Sequence, residues 1–128
     1  MKFVIVALSG ELEKLQAAAA LASGAAVMGM QVRIFVAMDA LASFRKSVVE
    51  KRAWKVAGDA GKALLQGEKT FVDYIRDAKE VGDVKLYICQ DSMNLLQATK
   101  DDFVDVFDEV TTITGFFELA EGAAPLVI

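Results

Sequence analysis

A single cysteine, Cys89, stands where the apolar run Val84-Lys85-Leu86-Tyr87-Ile88 gives way to the polar stretch Gln90-Asp91-Ser92. As a thiolate it would be a nucleophile toward sulfur and other soft electrophiles. The chain has no histidine, which removes Cys/His dyads, Ser/His/Asp triads and most zinc sites; the lone glycine of Ser9-Gly10 fits no phosphate-binding pattern, so neither a metal nor a cofactor is expected. With no second cysteine there is no internal disulfide and no resolving thiol. Any sulfur that Cys89 accepts must leave to a thiol on another molecule.

Position sharpens this reading. Val84 to Ile88 is β-branched and aromatic, too short for a helix, and preceded by the turn pair Gly82-Asp83, so it reads as a buried strand with Cys89 at its carboxyl end. Asp91 and Ser92 are good helix caps, and Met93-Asn94-Leu95-Leu96 can start a helix behind them. The free amides of a helix start favour thiolate over thiol, while the Asp91 charge opposes it. A free cysteine is also among the most buried residue types, so a small hydrophobe in the core is the competing reading.

The elements that must position this residue follow a regular alternation. Phe3 to Leu8 is apolar on both faces, as in a central parallel strand, and Ser9-Gly10 is the turn after it. Glu11 to Met28 opens with acidic residues and continues in Ala and Leu, predicting a helix ended at Gly29. Gln31 to Val36 is a second strand, and Met38-Asp39 leaves it at the edge where Cys89 lies. Ser9, Gly10, Met38 and Asp39 are therefore the candidate pocket edge. Ser43 to Ala57 has helical composition without a clear pattern, and Trp54 within it reads as a core aromatic, a lid or a subunit anchor.

Thr70 then caps a helix with Phe71, Tyr74, Ile75 and Ala78 on one face. Thr99 to Asp102 resembles a capping box for a brief helical turn through Phe103 and Val106. Glu109 to Thr112 is a short strand, Thr114 to Glu121 a two-turn helix stopped at Gly122, and Pro125 to Ile128 a last strand. The alternation predicts an α/β fold, a mostly parallel sheet of about five strands with helices on both faces, in one domain spanning residues 1–128.

Composition excludes several classes. A net charge of −4, with no basic stripe interleaved with aromatics, argues against nucleic acid. The run Arg45-Lys46 to Lys51-Arg52, with Lys55, is broken by Val48, Val49 and Glu50 and reads as a solvated helix face. The stretch Ala17 to Met30 is too short and too rich in Ala and Gly to span a membrane, and Phe3 to Leu8 is too short for a signal sequence. One unpaired cysteine makes the cytoplasm the expected compartment. The smooth Ala/Gly surface of the first helix predicts a homo-oligomer.

Three blocks resemble one family. Gly24-Ala25-Ala26-Val27-Met28-Gly29-Met30-Gln31-Val32-Arg33-Ile34-Phe35 is similar to the G-A-A-x-M-G-M-x-V-x-I-F block of DsrE-like proteins. Tyr87-Ile88-Cys89-Gln90-Asp91-Ser92-Met93 is similar to their Y-A-C-x-x-S-M segment, and Phe116 to Ala120 with Leu126-Val127-Ile128 matches their final helix and strand. The resemblance covers residues 2–43 and 84–128, whereas residues 44–82 lack the Met-, Gly- and Pro-rich insertion of close relatives. It implies a three-layer flavodoxin-like fold, an oligomer, and a sulfur carrier or sulfurtransferase with a persulfide on Cys89, exchanging sulfur with a TusA-like carrier. Gln90, Asp91, Ser92 and Met93 would form the turn and helix start beside the thiol, the amides of Ser92 and Met93 stabilising charged sulfur. The alternatives are a thiol peroxidase-like or redox-sensing protein, disfavoured by the missing resolving cysteine, and a non-catalytic oligomeric binding module.

Overall fold

The computed structural model describes residues 1–128. Five parallel strands form one sheet in the order β4-β3-β2-β1-β5: β1 Lys2–Ala7, β2 Gln31–Val36, β3 Val84–Cys89, β4 Glu109–Thr111 and β5 Leu126–Val127. The helices are α1 Leu12–Val27, α2 Met38–Ala42, α3 Lys46–Lys51, α4 Asp59–Gln66, α5 Phe71–Val81, α6 Gln90–Leu95 and α7 Ile113–Leu119. A single 3-10 turn spans Lys100–Asp102. The result is the parallel sheet with helices on both faces expected from the alternation, in the three-layer, flavodoxin-like form that the resemblance implies.

The strand order explains why the two outer layers differ. From β1 through β2 and β3 to β4 the chain steps one way across the sheet, so right-handed crossovers put the connecting helices on one face. The step from β4 to β5 runs from one edge to the opposite edge, and α7 crosses on the other face.

Side chains obey the two-residue strand period. Ile5, Ile34 and Leu86, in register across β1, β2 and β3, belong with α1 and α5 to a cluster of 27 buried residues. Val4, Phe35, Tyr87 and Cys89 belong to a second cluster of seven, completed by Ala37, by Phe116 of α7 and by Ala120, which caps that helix.

Three elements depart from the sequence reading. Ser43 to Ala57 is not one helix: α2 and α3 are short, Arg52 takes a left-handed conformation at φ 54°, and the chain turns so that Trp54 enters the core. Its indole donates to the Ser43 carbonyl at 2.9 Å and its ring meets Phe71 edge-on, so it is a core aromatic and not a lid. On α5, Val72 is buried and Tyr74 faces out, because the helix packs beside α1 on the same face of the sheet through Phe71, Val72, Ile75 and Ala78. The turn at Thr99 ends at Asp102, with the Asp102 carboxylate accepting from the Thr99 amide at 2.8 Å.

A candidate thiol site under the crossing helix

Cys89 ends β3 with an extended backbone and its side chain turned toward α7, 3% exposed. The helix behind it starts two or three residues earlier than its sequence suggests. Gln90 is already helical, and Cys89 itself is the N-cap, its Sγ accepting from the Ser92 amide at 3.5 Å. The thiol therefore takes the place that an aspartate or serine oxygen usually fills, and meets the partial positive charge of one helix amide. Asp91 and Ser92, read as caps, lie within the first turn.

Ser92 has a second function. It is 1% exposed, and its hydroxyl accepts from the Met38 amide at 2.8 Å, joining the turn after β2 to the turn after β3. Met38 is held in the left-handed region at φ 53°, a conformation that costs a non-glycine residue on the order of 1–2 kcal/mol. Ser92 thus presents its amide to the sulfur and its oxygen to the neighbouring loop. Met93 turns the other way, packing against the larger core, and Gln90 is exposed.

In front of the thiol lies a cavity of about 250 Å³. Val6, Phe35 and Cys89 line it from the strands, Ile113, Phe116 and Phe117 from α7, and Leu8, Ala37, Met38, Asp91, Ala120 and Pro125 complete the wall. Asp91 is its one ionisable group besides the thiol. The cavity lies across the carboxyl ends of β3, β2 and β1, beneath α7, with Pro125 closing it on the β5 side.

Several local features hold α7 over this space. The Thr112 hydroxyl accepts from the Gly115 amide at 3.0 Å at its start. Gly115 lets the first turn sit against β4, since a Cβ there would come 2.4 Å from Thr111 Oγ1. At the other end Lys2 Nζ donates to the carbonyls of Leu119 and Glu121 at 3.0 and 2.9 Å, a cation on the negative end of the helix. Phe116 stacks on Phe35 with ring centroids 4.7 Å apart and meets Tyr87 edge-on at 6.0 Å. Burial raises the Tyr87 phenol above its usual range near 10.

The structure divides the expected pocket edge. Met38 borders the cavity at Cys89, whereas Ser9, Gly10 and Asp39 line a separate cavity of about 300 Å³ with Ser43, Val48 and Lys55. Gly10 belongs there because a side chain would meet the Asp39 carbonyl at 2.7 Å. The α7 wall was missed from sequence. Its one usable signal was that Phe116 and Ala120 lie four apart on a helix that must bury some face.

No group of three or more Cys, Asp or Glu residues comes together to hold a metal ion, and no helix is long and apolar enough to cross a membrane.

The model of the DsrE/DsrF-like family matches residues 1–123. Among solved structures the chain is similar to MTH1491, a protein of unknown function from Methanobacterium thermoautotrophicum, at 14% identity and TM-score 0.65, covering 99% of this chain and 98% of that one. It is also similar to the YchN protein of E. coli, at 14% identity and TM-score 0.61, covering 100% of both chains. Likeness at such identity shows a common fold and nothing finer. No curated protein matches the sequence.

Proposed function

The chain belongs to the DsrE/DsrF-like family, and from that membership and the seat of Cys89 we propose a sulfur carrier or sulfurtransferase acting in sulfur metabolism. The observation that carries the proposal is the sole cysteine, sheltered at the end of β3, touched by one helix amide and bordering a cavity. A persulfide needs such a seat, closed to bulk water and open to a reactant.

In the proposed reaction the Cys89 thiolate attacks the outer sulfur of a sulfane donor. The donor's S–S bond breaks and its remainder leaves with the electron pair, as a thiolate from a hydropersulfide, sulfite from thiosulfate or thiosulfate from tetrathionate; Cys89 keeps the transferred sulfur as a persulfide, or as a thiosulfonate when tetrathionate is the donor. A thiolate on a partner then attacks that outer sulfur, and Cys89 is released as a thiolate. No external oxidant or reductant enters either step. A partner thiol is required because the chain has no second cysteine, and a small TusA-like carrier protein is the proposed acceptor, in the cytoplasm.

A homo-oligomer is part of the proposal. Beyond its buried face, α1 exposes a second apolar stripe of Ala17, Ala20, Leu21, Gly24, Val27 and Met28, with Val27 71% and Met28 78% exposed. A monomeric mass by light scattering at micromolar concentration would remove this element.

The reaction is tested by incubating reduced protein with polysulfide, tetrathionate or thiosulfate and measuring its intact mass beside the Cys89→Ser variant. Added sulfur or thiosulfonate confined to Cys89 and removed by a thiol acceptor is the expected result. An unmodified thiol with every one of these donors, and with organic hydropersulfides as well, would sink the proposal.

A further inference from the structure

The cavity is much larger than one added sulfur requires. Its volume of about 250 Å³ is about that of eight liquid waters, whereas a persulfide adds a single atom. Its wall is aliphatic and aromatic, with Phe35 on the neighbouring strand and Phe116 and Phe117 on the helix above, and no lysine or arginine lines it. Asp91 places negative charge at the same wall. Oxyanion or carboxylate donors would lose hydration there and gain no cation in return.

We propose that Cys89 takes its sulfur from an organic hydropersulfide R–S–S–H whose R group is uncharged and apolar, aliphatic or aromatic, and occupies this cavity. The inference rests on the sulfur-carrier reading above and names the substrate class of that site. The step conserves atoms and electrons: Cys89–S⁻ + R–S–S–H gives Cys89–S–S–H + R–S⁻. The proton stays on the transferred sulfur, and the departing thiolate carries the electron pair out through the cavity mouth, where Met38, Ile113 and Phe117 are exposed.

The test is a matched pair of donors. Benzyl hydropersulfide and glutathione hydropersulfide are each reacted with the reduced full chain. Each rate of Cys89 persulfide formation, read by intact mass, is divided by the same donor's rate with a small free thiol. The normalised rate should be at least about tenfold higher for the benzyl donor, from burial of its ring. The exposed position of Phe117 allows Phe117→Arg to be made without disturbing the fold, and this variant should narrow or reverse the ratio. Equal normalised rates, or a faster glutathione donor in the unsubstituted chain, would overturn the inference and leave the sulfur-carrier reading standing. Failure of both donors to load Cys89, together with failure of the inorganic donors, would overturn the reading itself.

Discussion

On one face of the sheet Ile5, Ile34 and Leu86 lie with α1 and α5 in a cluster of 27 buried residues; on the other, Val4, Phe35, Tyr87 and Cys89 lie under α7 in a cluster of seven. The same strands supply both, residue by residue in alternation, so local propensity does not create the difference. It comes from connectivity: three crossovers thicken one layer, and a single seven-residue helix spans the other. The thick face leaves no large space beside Ile88, while the thin face leaves a cavity beside its neighbour Cys89. One face supplies the folding stability, and the other accommodates a reactive group that must be sheltered and still met by a reactant.

Truncation on the two faces should break this comparison or confirm it. Leu86→Ala, at a fully buried position of the thick face, is expected to cost about 2–5 kcal/mol in urea unfolding. Phe117→Ala, on the cavity wall at 62% exposure, should change stability by about 0.5 kcal/mol or less. Comparable costs for the two would mean that α7 carries as much of the fold as the opposite layer.

The next effect in size concerns the junction of the two loops at the thiol. Ser92→Ala removes the acceptor for the Met38 amide and should cost about 1–3 kcal/mol. It should also slow sulfur loading, because the strained Met38 backbone at the cavity wall loses its tether. Unchanged stability and loading together would show that the link between the loops is dispensable.

The smallest effect is in pH dependence, where the thin face differs because it buries a phenol. Burial raises the Tyr87 pKa, so above about pH 10 the unfolded chain loses this proton before the folded chain does. Its contribution to stability is complete below that pH and is lost as pH rises toward the folded value. Tyr87→Phe should therefore lose less stability on the alkaline side than the unsubstituted chain. Superimposable alkaline limbs would contradict the assignment.

The sequence carried the strands, the alternation and the place of Cys89 clearly, because each rests on a local signal: an apolar run, a period, a cap. Residues Ser43 to Ala57 were illegible because Arg52 takes a left-handed conformation at a non-glycine position, with no residue type to announce it. The helix start at Gln90 was misplaced because a thiol took the cap in place of the nearby Asp91 and Ser92. The wall of the cavity was out of reach for a different reason. Val6, Phe35, Phe116 and Pro125 are far apart in the chain and meet Cys89 only through the strand order, which no local pattern encodes.

The central claim is that Cys89, though 3% exposed, is reached in the native state through the cavity on the thin face. Its rate of reaction with a small uncharged disulfide, measured across urea concentrations below the unfolding transition, tests this directly. The account predicts a rate nearly independent of urea and lowered by Ala120→Leu, which fills the cavity. A rate that climbs with urea at the slope of global unfolding would show that the thiol reacts only when the chain opens, and that Cys89 is a buried hydrophobe.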